Sequence, residues 1–536
     1  MGRPLRFLVT ILVTIPVLAC SAFAAGHAQS AAALEQGIAI IEPFALRELD
    51  HGRLGLGRIM RAAGSADAPL DNDGLFALPS MAPVREALDA EFDRYLVRHT
   101  ADFPDESIGV GSPYDVQLFD RGLLYSGQTR FVLSGIINRM DRAYVVPESC
   151  GEIRLIYRLT RTGMPEPGEG APSPRLPMTL NVVLKARADH AGDGNGCAEI
   201  ARRWLEAGES AAVGIDLAKQ LIAGDGPLDL VRPEDIERIE TNLQIAHAPK
   251  TPRHDFRTDY LLKVFRYDAQ AQRFEQVPLE NQIDRERILA DPALKREFRA
   301  WLLEPGNFSA LDRGTILIPE QFLASRAIAA TPVGFDPSKL QPAFGLVQGD
   351  DAAAEPVFSH HDVVAALKQA AERGVVLQNI RSVAGFERRL NDITCAGCHQ
   401  TRGIGGFHFP GVDWMAAKPS NSTVVPGSPH FFGDQVRRRD ILTALRDGHA
   451  PDYSRGFSSR PQLRGSTELA GTEYDNGWGA HCYRQMPDAK DSDLSFRSWT
   501  CASGLACQIV GARSRMGMCF IDTRERNGQP LQRRPD

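Results

Sequence analysis

Beyond its first two dozen residues the chain has no segment apolar enough to cross a membrane as a helix. It has no surplus of basic charge either. Its 61 lysines and arginines face 67 aspartates and glutamates, a net charge of -6, which gives no reason to expect a nucleic-acid partner. Gly-x-Ser-x-Gly, His-Glu-x-x-His and the Walker loop are all missing, so the usual serine hydrolase, zinc peptidase and P-loop chemistries are excluded. Gly55-Leu56-Gly57 is only a fragment of a dinucleotide fingerprint, because Met60 occupies the third glycine position. The segment DHAGDGNG at 189–196 lacks the alternate acidic spacing of a calcium loop and reads as a turn. No internal repeat is visible.

The N-terminus carries an export signal. Arg3 and Arg6 precede an uncharged run from Phe7 to Ala19, too short for a membrane span but suited to a signal-peptide core within residues 1–24. Two cleavage readings compete. Val17-Leu18-Ala19-Cys20 resembles a lipobox that would acylate Cys20, and Ala22-Phe23-Ala24 resembles an ordinary signal-peptidase site. The expected location is the periplasm or the outer surface, with membrane contact only through a lipid anchor at Cys20. Of nine cysteines, either reading removes Cys20 from the thiol pool and leaves an even eight. An oxidising compartment permits disulfides among them.

Pattern divides the remainder. Residues 34–345 read as a large mixed α/β region of unknown role. Pro83 opens a helix to about Arg98, with Val84, Leu88, Phe92, Tyr95 and Leu96 largely on one face. Strand character appears at 128–137, at 152–160, where Ile153, Leu155 and Tyr157 alternate with charged neighbours, and at 178–186 and 258–268. A Pro/Gly loop at 163–174 makes the second and third of these a hairpin, whose open ends bring Cys150 near Cys197. Helices are expected over 197–223 and over 283–303, the latter broken at Pro292. Residues 362–373 and 434–448 are amphipathic, and Ser359 is a natural cap that makes His360-His361 an exposed helix start. Residues 476–522 hold Cys482, Cys501, Cys507 and Cys519 in a disulfide-rich module whose pairing the sequence leaves open.

One motif carries chemistry. Cys395-Ala396-Gly397-Cys398-His399 has the spacing that puts two sulfurs one helical turn apart for thioethers to one porphyrin, with the histidine directed at the iron. In a chain of this composition the pattern arises by chance about 0.004 times. A thioredoxin-like dithiol lacks its usual surroundings here, and zinc would want a second pair of ligands.

On this motif the chain resembles the c-type cytochromes. The resemblance covers the motif and extends over residues 355–450 as a domain. It implies one covalent haem c, Cys395 and Cys398 as thioether donors, His399 as proximal iron ligand, a small mainly helical cytochrome c-like domain, and electron transfer with a redox partner protein. The sixth ligand stays open among Met415, His430, His408 and an exchangeable site. Arg402 and Arg437 to Arg439 are candidates for pairing with the propionates. The expected class is therefore α+β: a mixed N-terminal region, a helical haem domain and a disulfide-rich module. Three functions compete: an exported monohaem electron-transfer or redox protein, a haem-dependent oxidoreductase such as a peroxidase, and a non-catalytic surface lipoprotein whose Cys-x-x-Cys is structural.

Overall fold

The structure, a computed structural model, describes residues 37–60, 69–146, 148–162, 175–191, 196–249, 257–331, 357–394, 434–456, 481–483, 500–501, 505–508 and 516–521. Its centre is a ten-stranded sheet. Long strands β4 (Thr129–Arg139), β5 (Glu152–Arg161), β6 (Arg175–Lys185), β7 (Ile236–Ala248) and β8 (Arg257–Asp268) pair antiparallel in chain order. Short β1 (Ala39–Ile40) closes the β4 edge, and β9 (Arg273–Val277) and β10 (Ala327–Thr331) both pair with β8. β2 (Ile108–Gly109) and β3 (Val116–Leu118) are parallel to each other and extend from the end of β7.

One face of the sheet holds the main core. Helix α1 (Pro43–His51) contributes Leu46 and Leu49, and α2 (Ala82–Asp102) contributes Val84, Leu88, Phe92 and Tyr95. Helix α3 (Gly196–Ala207) adds Ile200 and Trp204 to the same core. The expected helix at 197–223 is in fact two, because Gly208 turns the chain out and α4 (Gly214–Ile222) begins at a glycine with φ of 59°. Cys150 and Cys197 form the disulfide that the hairpin geometry predicts, with a Cα–Cα distance of 5.3 Å. It closes a loop with a sequence separation of 47, so Cys150→Ala is expected to lower stability by about 2–4 kcal/mol in a denaturant titration. An unchanged midpoint would show that the crosslink does not constrain the unfolded chain.

The expected fold class needs correction. The α+β label holds loosely, but the dominant element is the antiparallel sheet, and the small mainly helical cytochrome c-like domain is not seen. The reason lies in where the apolar faces go. Helices α5 (Pro292–Leu302), α6 (Pro305–Arg313), α7 (His360–Glu372) and α8 (Val383–Asp392) share one core running from Ile283 to Ile393. In it Phe386 of α8 packs on Phe308 of α6 and on Phe358, at ring-centroid distances of 5.7 and 5.3 Å. Helix α9 (Gln435–Arg446) turns elsewhere: its Leu442 belongs to the core of the sheet. The helices around the motif thus bury their apolar stripes in two different cores, α7 and α8 with α5 and α6, and α9 against the sheet.

Ser359 caps α7 through a reciprocal box with Asp362, as its position predicts, and His360 and His361 are exposed at the helix start. Near the C-terminus β11 (His481–Tyr483), β13 (Met516–Ile521) and β12 (Leu505–Gln508) form a separate three-stranded sheet, with a disulfide between Cys482 and Cys507. Cys501 is disulfide-bonded as well. A module with so few buried apolar side chains among its described residues depends on such crosslinks.

Candidate functional site

The face of the sheet opposite the main core is charged and yet buried. Residues two apart on a strand share a face, so β5 presents Glu152 with Arg154, and β7 presents Arg238 with Glu240. Register sets the two pairs opposite each other across β6, where Val183 faces both Arg154 and Arg238. The four side chains close a ring. Arg154 donates to Glu152 (2.8 Å) and Glu240 (3.0 Å), and Arg238 donates to Glu152 (2.8 Å) and Glu240 (3.0 Å). Arg142 bridges Glu152 and Glu280.

A second knot adjoins this ring. Asp141, 2% exposed, accepts from Arg139 (2.8 Å), Arg437 (2.9 Å) and Arg455 (2.7 Å). Arg437 and Arg438 also donate to Asp434, at 2.6 and 2.8 Å. Gly151 lets the chain enter β5 beside Arg139: its φ is 100°, and a Cβ there would lie 2.6 Å from the Arg139 carbonyl oxygen. A third tie comes from α8. Arg389, fully buried, donates to the carbonyls of Asp312 (2.9 Å) and Arg455 (2.7 Å). The Asp312 carboxylate in turn accepts from the backbone of Gln378, Asn379 and Ile380 at 2.6–2.8 Å.

Electrostatics follow from this sharing. Burial alone would push the Asp141 carboxyl up, but Arg139, Arg438, Arg455 and Arg437 outweigh it and hold the group well below the usual carboxylate range. Glu152 is held down in the same way, chiefly by Arg142 and Arg238. The cations feel the crowding too. Burial, reinforced by Arg139, lowers Arg438 to about 10, and burial also lowers Arg154 despite its two glutamates.

Between the charged face and the 278–323 segment lies a cavity of about 340 Å³. Arg139, Arg142, Arg154, Arg238 and Arg455 line it together with Glu237, Glu240 and Glu280. Val264, which pairs with Glu240 across β7 and β8, Leu279, Ile393 and Leu317, 40% exposed, add apolar surface. The volume falls at the lower end of small-molecule pockets.

The haem-motif residues Cys395, Cys398 and His399, the sixth-ligand candidates His408, Met415 and His430, and Arg402 and Cys20 all lie outside the described residues. Their flanks are described. Ile393 lines the cavity, and Thr394, the residue before Cys395, is buried. On the far side the chain re-enters at Asp434, inside the arginine knot. Arg437 and Arg438, expected near the propionates, direct their forks at Asp434 and Asp141 instead. The Glu152–Arg154–Arg238–Glu240 ring escapes sequence reading because a charged face of a strand ordinarily meets water. The available signal was the repeated charge pair at i and i+2 on two strands of one sheet.

Among the described residues no group of three or more His, Cys, Asp and Glu side chains is arranged to hold a metal, and no helix is long and apolar enough to cross a membrane. Fold and site together define an α+β protein with a buried arginine–carboxylate network under a small cavity. Comparison with protein-family models, curated proteins and solved structures finds no match.

Proposed function

We propose that this is an exported protein carrying one covalent haem c at Cys395, Cys398 and His399, and that it acts in electron transfer or redox chemistry. The observation that carries the reading is the position of the motif in the chain: it follows directly on Ile393, which lines the cavity, and the buried Thr394, and its segment returns at Asp434 in the arginine knot. Arg389, Asp312 and Asp141 fix both ends of that segment, which suits a reactive group that must be held in one place. The cavity beside the motif is lined by both charged and apolar side chains, Arg139, Arg142, Glu240 and Glu280 with Val264, Leu279 and Ile393.

Thiols and imidazole in the motif would hold the group, which supplies one-electron chemistry when bound. The Cys150–Cys197 and Cys482–Cys507 disulfides support the oxidising compartment in which such attachment occurs. Export places the protein in the periplasm or on the outer surface, with Cys20 as the anchor if the lipobox reading holds, and a redox protein as partner. The cavity favours a haem-dependent oxidoreductase over a pure electron carrier, since a carrier has no need of a small-molecule site.

The test is the pyridine-haemochrome spectrum of the exported, purified protein made alongside a c-type maturation system. A c-type band is expected at one haem per chain. Protein without that band sinks the proposal and leaves a binding module with a structural Cys-x-x-Cys. Given the band, high-spin iron selects the oxidoreductase and low-spin iron the carrier.

A further inference from the structure

A further charged cluster lies apart from the cavity, and what it implies is independent of the haem reading: none of its residues lines the cavity or flanks the motif. Helix α2 turns Glu91 toward the sheet, where it is buried with Lys263 of β8. Three cations share this one carboxylate. Lys263 at 2.9 Å and Arg94 at 2.5 Å donate to one oxygen, and Arg326, just before β10, donates to the other at 3.4 Å. Arg98, one turn beyond Arg94 on α2, pairs at 3.2 Å with Glu286, which is 76% exposed. Asp259, four residues before Lys263 on β8, is engaged by the Tyr95 hydroxyl. Among the described residues these four cations form no other ion pair. Four positive charges thus meet one buried and one exposed carboxylate. Burial lowers the Arg326 guanidinium, and Arg94 and Arg98 lower it further despite Glu91.

The cations converge and do not spread. Nη1 of Arg94 and Nη1 of Arg326 reach the two oxygens of a single carboxylate, so their guanidinium groups meet at one point. Each commits one nitrogen to Glu91, which leaves the rest of its fork for a second acceptor. Arg94, Arg98 and Arg326 are partly exposed, while Lys263 and Glu91 are closed off behind them. Positive charge on a dry floor with an open front draws a compact anion. We propose that Arg94, Arg98 and Arg326 bind a phosphate group at this surface, with Arg98 released from Glu286 to meet it. Arginine forks match phosphate oxygens, and a dianion offsets the excess of four cations over two carboxylates.

Titration calorimetry of the full-length protein tests this at about pH 8, where phosphate is a dianion, with chloride holding the ionic strength constant. Inorganic phosphate is expected to bind. Arg94→Gln is expected to weaken it about fivefold, and Glu286→Gln to tighten it about threefold by removing a competitor for Arg98. Both substitutions leave the fold intact, because Glu91 keeps Lys263 and Arg326 in the first and Glu286 stands in solvent in the second. The opposite signs separate a binding role from a structural one. Phenyl phosphate run beside inorganic phosphate identifies the source: equal binding assigns free phosphate, tighter binding assigns a phosphate ester, and both uphold the site. No saturable heat with either, undiminished affinity in Arg94→Gln, or no gain in Glu286→Gln would overturn the proposal. So would an octaglutamate peptide binding more tightly than phosphate, which would make the cluster a docking face for an acidic protein segment.

Discussion

Asp141→Ala is expected to destabilise the protein by about 3–5 kcal/mol, enough to threaten folding altogether. The magnitude comes from what the substitution leaves behind. Arg139, Arg437 and Arg455 all donate to this one carboxylate, and each is buried or nearly so. Removing it takes the shared carboxylate from the buried Arg139 and Arg455 and leaves Arg437 with Asp434. The effect should be far larger than that of the exposed Arg47–Glu48 pair, whose removal is worth about 0–1 kcal/mol. The pH dependence has a definite sign. Asp141, Glu152 and Asp434 all have carboxyls held below their usual range in the folded protein. A depressed carboxylate stabilises the fold above its unfolded pKa of about 4, and that contribution is lost as pH falls through the folded value. The difference between the native chain and Asp141→Ala should therefore be flat from about pH 8 to pH 5 and narrow below about pH 4. Urea titrations followed by circular dichroism at pH 7 and pH 3.5 measure it. A loss under 1 kcal/mol at pH 7 would show that the knot is solvated and not buried.

The parts of the fold legible in the sequence are those with one dominant cause. Apolar residues at helical spacing with Pro83 at the start mark α2, and the described helix buries Val84, Leu88, Phe92 and Tyr95 of that face and leaves Leu96 exposed. The Pro/Gly loop between β5 and β6 and the cysteines flanking the hairpin lead to the Cys150–Cys197 crosslink. Alternation in β5 is visible too, but its meaning inverts. Glu152 and Arg154 look like the wet face of an edge sheet, and both are at most 5% exposed under a second layer. That layer comes from Arg142, Glu280, Arg437 and Arg455, which lie up to about 300 residues away in sequence. No local pattern encodes such a partner. The same limit produced the helical haem domain. Residues around the motif have amphipathic spacing, which says that α7, α8 and α9 bury a face but not against what. Phe298, Phe308 and Phe322 turn out to cover the first two of these helices, and the core of the sheet covers the third.

Replacing both Cys395 and Cys398 by alanine is expected to abolish covalent haem completely, the largest single effect on chemistry in the molecule. Thioether attachment needs the two sulfurs, and no other Cys-x-x-Cys-His occurs in the chain. Five other cysteines among the described residues have other roles. Cys150 with Cys197 and Cys482 with Cys507 are disulfides, and Cys501 is bonded too. The double substitution therefore removes the one Cys-x-x-Cys-His site of the sequence. Intact-mass spectrometry separates the readings that absorbance alone would blur. Haem attachment makes the processed native chain heavier than its polypeptide mass by one haem, and the processed double variant returns to the bare polypeptide mass. A structural disulfide between Cys395 and Cys398 makes the native chain lighter by two hydrogens and gives no haem signal in either protein. The sheet supplies the control. Its described core contains neither cysteine, so far-ultraviolet circular dichroism of the variant should retain the β signature of the native protein. A variant that keeps the haem mass would show that attachment lies elsewhere, and one that loses the β signature would show that residues 395–398 help to hold the sheet itself.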